Sequence, residues 1–340
     1  MKAARGEPVD RTPIWLMRQA GRYMAEYRAI REKVSFLDLC RNPQLCAEVM
    51  VTAVERLGVD AAILFADLLP ILDCMGLPLR FTPGDGPVLE NPVRTPEDVA
   101  RIRELDDLEP LSFVFEAVVA TRKALSESLP LIGFAGAPFT LAGYAIEGRG
   151  SRDFAEARRF MRTHESAWHD LMGRLSRAVT RYLLGQIEAG VQAVQLFDSW
   201  VGCLSPSDYR RFVLPHTQAV FAALPEDIPA IHFGTGNPAL IPLMAEAGGS
   251  IVGVDWRVDI ADAWAAVGEE KGIQGNLDPT VLLGPVSEIK RQAEAILRQT
   301  QGRCGHIFNL GHGVLPNTPV EHAVALVEFV HAWDPQQLPD

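Results

Sequence analysis

The chain has 340 residues, 48% hydrophobic and 22% charged, which supplies material for a large apolar core and excludes a disordered composition. Its formal net charge of −11 argues against a general nucleic-acid or anionic-membrane surface, so an anionic ligand must find a local positive cleft. No apolar stretch reads as a signal peptide or membrane span, and Cys40, Cys46, Cys74, Cys203 and Cys304 form no CxxC pair, which predicts a cytoplasmic protein with reduced thiols and no structural zinc.

In chain order, eight short apolar or β-branched runs are each followed by a helical pattern. They are Thr12–Met17, Ala61–Ala66, Leu131–Ala135, Ala193–Phe197, Ala230–Phe233, Ile251–Val254, Gly272–Gly275 and His306–Leu310. Helix ends are legible between them. Asn42 and Pro43 predict an N-cap and first turn of a helix that Gly58 closes, and Gly190, Gly248 and Gly249 stop helices before the next strand. Such alternation implies parallel strands with crossover helices, and eight repeats predict a single-domain (β/α)8 TIM barrel over the whole chain. The longest interruption, Leu68 to Pro130, carries Pro78, Pro83, Gly84, Gly86 and Pro87 in its first half and reads as an excursion over the barrel mouth.

In such barrels the chemistry sits at the C-terminal ends of the strands. Those positions are polar here: Arg18, Gln19 and Arg22; Asp67; Tyr144; Asp198 and Ser199; Thr235; Asp255; Asn276 and Asp278; and His312. Arg28 and Arg31 extend the first group, so four arginines fall within fourteen positions of an acidic protein. A ring of this kind suits an anionic substrate and the handling of protons. Each member also has a plain structural reading: Asp67 and Ser199 as caps, Tyr144 as a core ring, His312 as part of a glycine turn.

Two strings imitate other classes of site. His164-Glu165-Ser-Ala-Trp-His169 resembles a zinc-protease motif, but its histidines are five apart and point about 140° from each other on a helix, so it reads as a solvated helix face. Gly234-Thr-Gly236-Asn-Pro-Ala239, with Asp255 downstream, imitates a dinucleotide loop. It lies on the fifth of eight strands, and its proline is explained by ordinary helix initiation.

Several strings together resemble the uroporphyrinogen decarboxylase family: Pro13-Ile-Trp-Leu-Met-Arg-Gln-Ala-Gly-Arg-Tyr23, Phe65-Ala-Asp-Leu-Leu69, Phe134-Ala-Gly-Ala-Pro-Phe-Thr-Leu-Ala-Gly-Tyr-Ala-Ile-Glu-Gly148, Gln195-Leu-Phe-Asp-Ser199, Gln274-Gly-Asn-Leu-Asp-Pro279 and Asn309-Leu-Gly-His-Gly313. They span nearly the whole chain in one order. The resemblance implies a (β/α)8 barrel, a homodimer, and removal of the carboxyl groups from the four acetate arms of uroporphyrinogen without metal or organic cofactor. It also implies that Arg18, Arg22 and Arg31, with Gln19, Ala20 and Gly21 in the first loop, meet substrate carboxylates. Asp67 would face the pyrrole N–H groups, and Tyr144, Ser199 and His312 the remaining arms. The catalytic candidates are Asp67, Arg18 and Tyr144, with Arg18 the first candidate for the acid. The chain departs from the family pattern at Met24-Ala25, Ala66 and Thr235, the last standing where a lysine often lies between glycines. A corrinoid methyltransferase of the same barrel type would need a His-x-Cys zinc string near His232, where this sequence has His-Phe-Gly. A non-catalytic tetrapyrrole carrier would need the arginines but not Asp67.

Overall fold

A computed structural model describes residues 1–82 and 86–334. Pro83 and Gly84, counted above among the turn residues of the excursion, lie outside the described residues, as do 335–340. The strands are β1 (Ala62–Ile63), β2 (Leu79–Thr82), β3 (Gly86–Leu89), β4 (Leu131–Gly136), β5 (Ala193–Asp198), β6 (Ala230–Gly234), β7 (Ile251–Gly253), β8 (Gly272–Gln274) and β9 (His306–Ile307). Seven of them form one curled, all-parallel sheet in the order β1-β4-β5-β6-β7-β8-β9, and β2 and β3 form a separate antiparallel hairpin. Helices cover the outside, and one continuous apolar core runs from Ala3 to Val330. Among the described residues no helix is long and apolar enough to cross a membrane.

The first predicted strand, Thr12–Met17, closes the barrel without forming a regular ladder. Ile14 makes a parallel bridge to Phe308 on one side, and on the other the Asp60 N–H donates to the Ile14 carbonyl at 2.8 Å. Pro13 has no N–H to give, so side chains complete the pairing. The Ile14 N–H donates to Asp60 Oδ2 (2.8 Å), that of Leu16 to Gln19 Oε1 (3.1 Å) and that of Met17 to Asn309 Oδ1 (3.0 Å). The eighth position of a (β/α)8 barrel is thus held by a strand whose hydrogen-bond partners are partly side chains. Inside, Trp15 donates to Gln274 and Gln274 to Gln195, a buried polar chain across the barrel interior.

The helix ends behave as read from sequence. Asn42 accepts from the Leu45 N–H ahead of Pro43, and Gly58, at φ +71°, returns its N–H to Val54. Within the excursion, helix Ser112–Ala124 packs on helices Pro43–Leu57 and Glu165–Ala189 as an ordinary outer-layer element. The β2–β3 hairpin instead docks on helix Pro138–Glu147: the Leu89 N–H donates to Gly148 O at 2.7 Å and that of Val93 to Ala145 O at 2.8 Å. It therefore leans on the element that carries Tyr144.

Candidate active site

The loop after the closing strand is tightly built. Arg18 takes a left-handed backbone (φ +61°), and a Cβ at Gly21 would come within 2.9 Å of the Arg18 carbonyl, so a side chain there would crowd the turn. The Gln19 side chain bonds within the protein, accepting from Leu16 N and donating to Ala61 O, while Tyr23 Oη donates to the Gln19 carbonyl at 2.7 Å. Gln19, Ala20 and Gly21 thereby shape the turn from which the Arg18 and Arg22 side chains emerge exposed. Among the described residues no carboxylate pairs with either arginine, whereas exposed arginines elsewhere, such as Arg159, Arg177, Arg211 and Arg291, each have one. Arg28 is spent on the Arg22 and Tyr23 carbonyls, and Arg31 on the Val34 carbonyl and the Phe36 ring.

Asp67 stands where the chain leaves β1, half-buried, with Oδ1 accepting the Leu69 N–H at 2.9 Å. Desolvation raises its pKa; the Leu69 N–H, the charge on Arg18 and the Leu68 N–H pull it back. Tyr144 lies one helical turn before the end of helix Pro138–Glu147. Burial raises its phenol pKa, the Trp200 indole opposes this, Asp67 adds to it and Arg18 opposes it. His312 is lowered to about 4, first by desolvation and then by the Arg18 charge. Its Nδ1 accepts the Gly313 N–H at 2.8 Å, which assigns the ring proton to Nε2. The Arg18 charge thus acts on Asp67, Tyr144 and His312 alike, and Asp67 acts on Tyr144. Ser199, at the end of β5, has its carbonyl held by Thr235 Oγ1 at 3.0 Å. Arg22 and Arg31 both lie near Tyr27, whose phenol pKa is raised by burial and pulled back by their charges.

Other strand-end residues have their side chains engaged within the protein. Asp255 accepts from the Gly236 N–H (2.7 Å) and from Arg257, Asn276 donates to the Asp255 and Val258 carbonyls, and Asp278 accepts from the Thr280 N–H. The dinucleotide-like string thus carries its own acid against its own glycine, leaving that carboxylate engaged within the protein. His169 of the zinc-protease-like string bonds to His216 across to another helix. Among the described residues no three His, Cys, Asp or Glu side chains gather as metal ligands.

Three features of the site are absent from the sequence reading. Trp200 and Phe154, with centroids 5.1 Å apart, each meet the Tyr144 ring edge-on at 6.3 Å and form an aromatic wall. The place of Trp200 directly after Ser199 was a usable signal; Phe154, in a loop at φ +48°, gave none. Gly313 is the third. A Cβ there would lie 2.4 Å from Arg18 Cδ, so the bare backbone makes room for the arginine stem.

Comparison with known proteins finds a match to the family model described as uroporphyrinogen decarboxylase (URO-D) over residues 1–333. The chain is 52% identical over 338 residues to the uroporphyrinogen decarboxylase of Chloroflexus aurantiacus, covering 98% of this chain and 95% of that one. It is also 52% identical over 332 residues to that of Carboxydothermus hydrogenoformans, covering 97% and 95%. Among solved structures, a methyltransferase from Methanosarcina mazei superposes with a TM-score of 0.81 at 22% identity, over 96% of each chain, a likeness of fold.

Proposed function

The chain belongs to the uroporphyrinogen decarboxylase family, and from that premise we propose that it converts uroporphyrinogen to coproporphyrinogen and CO2, with Asp67 as the electrostatic centre of the site. The observation that carries the reading is a half-buried carboxylate within reach of the Arg18 charge, at the mouth of a barrel whose net charge is −11 and beside a loop whose exposed Arg18 and Arg22 have no acidic partner among the described residues. A pyrrole acts as its own electron sink. A proton added to the ring α-carbon next to the carbon that bears the acetate arm leaves positive charge on the ring, shared by the arm-bearing carbon. The C–CO2 bond then breaks, its electron pair flowing into the ring as an exocyclic methylene forms. A second proton makes the methyl group and the first returns to the medium, so each arm consumes one proton net and releases one CO2.

Asp67 stabilises the ring cation as an oxyanion hole stabilises an anion, with the sign reversed. Its raised pKa is a property of the empty site, and pyrrole N–H groups donating to it favour the ionised form on binding. Arg18 and Arg22 take substrate carboxylates in bidentate pairs, with Arg31 extending the positive edge. Gln19, Ala20 and Gly21 shape that loop and flank the arms. Ser199 and His312, whose Nε2–H is available as a donor, serve further arms. We assign delivery of the ring proton to Arg18, whose charge acts on Asp67, Tyr144 and His312 alike, and orientation of the reacting arm to Tyr144.

The same reading makes the enzyme a cytoplasmic homodimer that works without metal, flavin, pyridoxal phosphate or nucleotide. Purified protein should remove carboxyl groups from uroporphyrinogen, seen as successive losses of CO2 by mass spectrometry, and a chelator should leave the rate unchanged. Tetrapyrrole binding without carboxyl loss would identify a carrier instead. Loss of activity on chelation, restored by zinc, would overturn the cofactor-free reading, and sedimentation as a monomer would overturn the dimer.

A further inference from the structure

Between helix Pro138–Glu147 and the end of β5 lies a polar contact that the chemistry above does not use. Thr140 Oγ1 donates to Asp198 Oδ1 at 3.0 Å, and both residues are 0% exposed, so neither touches substrate. Their places in the chain give the contact its consequence. Thr140 is one helical turn before Tyr144 on the same face of helix Pro138–Glu147, and Asp198 directly precedes Ser199 at the end of β5. We propose that Asp198 is a positioning residue that, through Thr140, clamps the helix carrying Tyr144 to the strand end carrying Ser199. The inference rests on the assignment of Tyr144 and Ser199 to the substrate arms.

The clamp is stiff for physical reasons. A carboxylate taken out of water must be compensated by its neighbours, and among the described residues Thr140 is its hydrogen-bond donor. The other oxygen faces His232 Nε2 at 3.9 Å, beyond hydrogen-bond reach, while His232 Nδ1 lies 3.1 Å from the Met244 carbonyl. The Thr140 hydroxyl therefore meets a desolvated carboxyl oxygen, in surroundings where a hydrogen bond is electrostatically stronger than in water. A backbone bond runs parallel to it, from the Ala137 N–H to the Phe197 carbonyl at 2.8 Å. From the other side Thr235 fixes the Ser199 carbonyl. Tyr144 and Ser199 are thus referenced to the same strand end, and a displacement of about 1 Å at such a site can cost as much as about 100-fold in rate.

A double-mutant cycle tests this. The kcat/KM for uroporphyrinogen is measured for wild type, Thr140→Val, Tyr144→Phe and the pair, with melting temperatures alongside. Thr140→Val alone should lower kcat/KM about 10-fold or more. It should add less than about 2-fold in the Tyr144→Phe background, because its effect runs through the tyrosine hydroxyl. Thr140→Ser, which keeps the donor, should recover most of the rate. If Thr140→Val does not fold, Asp198→Ala runs the same cycle with the acceptor removed. Equal losses in both backgrounds would show a merely structural contact and overturn the proposal. A Tyr144→Phe variant as active as wild type would instead remove Tyr144 from the machinery, and with it the reading on which the clamp rests.

Discussion

Asp67 is both a local acceptor and the centre of the proposed chemistry, and the two roles separate on substitution. Asn keeps the acceptor for the Leu69 N–H, so Asp67→Asn should fold with nearly the wild-type melting temperature. It removes the charge that answers the pyrrole cation, so turnover should fall by about 100-fold or more. Near-normal turnover in a well-folded Asn variant would take Asp67 out of the mechanism. Gly313 offers a second test at the same scale. A methyl group there would sit 2.4 Å from Arg18 Cδ and 2.6 Å from Cγ, on a side chain that can move away. Gly313→Ala should therefore displace the guanidinium rather than break the fold, lowering kcat/KM about 10-fold with a stability change below about 1 kcal/mol. Wild-type kinetics for this variant would mean that Arg18 reaches the substrate from another position.

Among the elements, the hairpin and helix Pro138–Glu147 depend on one glycine. Gly148 ends the helix at φ +79°, and its carbonyl accepts the Leu89 N–H of β3. A Cβ there would be strained by the left-handed backbone and would press on Pro92 at 3.2 Å and the Leu89 carbonyl at 3.4 Å. Gly148→Ala should destabilise the protein by about 1–2 kcal/mol, read as a lower urea midpoint. Since the strain falls between the hairpin and the Tyr144 helix, hydrogen exchange should quicken in residues 86–94 before it does in the barrel strands. Unchanged exchange there, with faster exchange in β5 or β6, would place the weak point elsewhere.

For the molecule as a whole, acid stability follows from three histidines lowered to about 4. His216 is lowered by desolvation and the His169 charge, His306 by desolvation against the pull of the Gly275 carbonyl, and His312 by desolvation and the Arg18 charge. An unfolded histidine takes up its proton near 6.5 while the folded one resists until about 4, so the unfolded state binds more protons between these values. Stability should be full above pH 6.5 and fall as the pH drops from 6.5 towards 4. Asp67, whose pKa is raised, opposes this trend. Urea midpoints at pH 7, 6, 5 and 4 should decline, and His306→Gln, which cannot charge, should flatten the decline. A midpoint independent of pH over this range would contradict the buried, neutral state of these rings.

The repeat, the helix ends and the polar strand ends were legible in sequence because each is written locally: an apolar run of strand length, Asn42 before Pro43, glycines at 58 and 190 where helices turn left-handed. The strings around Arg18, Asp67, Tyr144, Ser199 and His312 carried the family as well. Local patterns cannot show partners brought together from far along the chain. The closing strand looked like any other, yet its pairing is completed by Asp60 and Asn309, 46 and 292 residues from the N–H groups they accept. Asp198 and Ser199 were equally polar neighbours at one strand end. The tertiary structure buried the first against Thr140, 58 residues away, and left the second at the mouth. Side chains alternate across a strand, and which face meets core and which meets the site is set by the neighbours that closure of the barrel brings alongside.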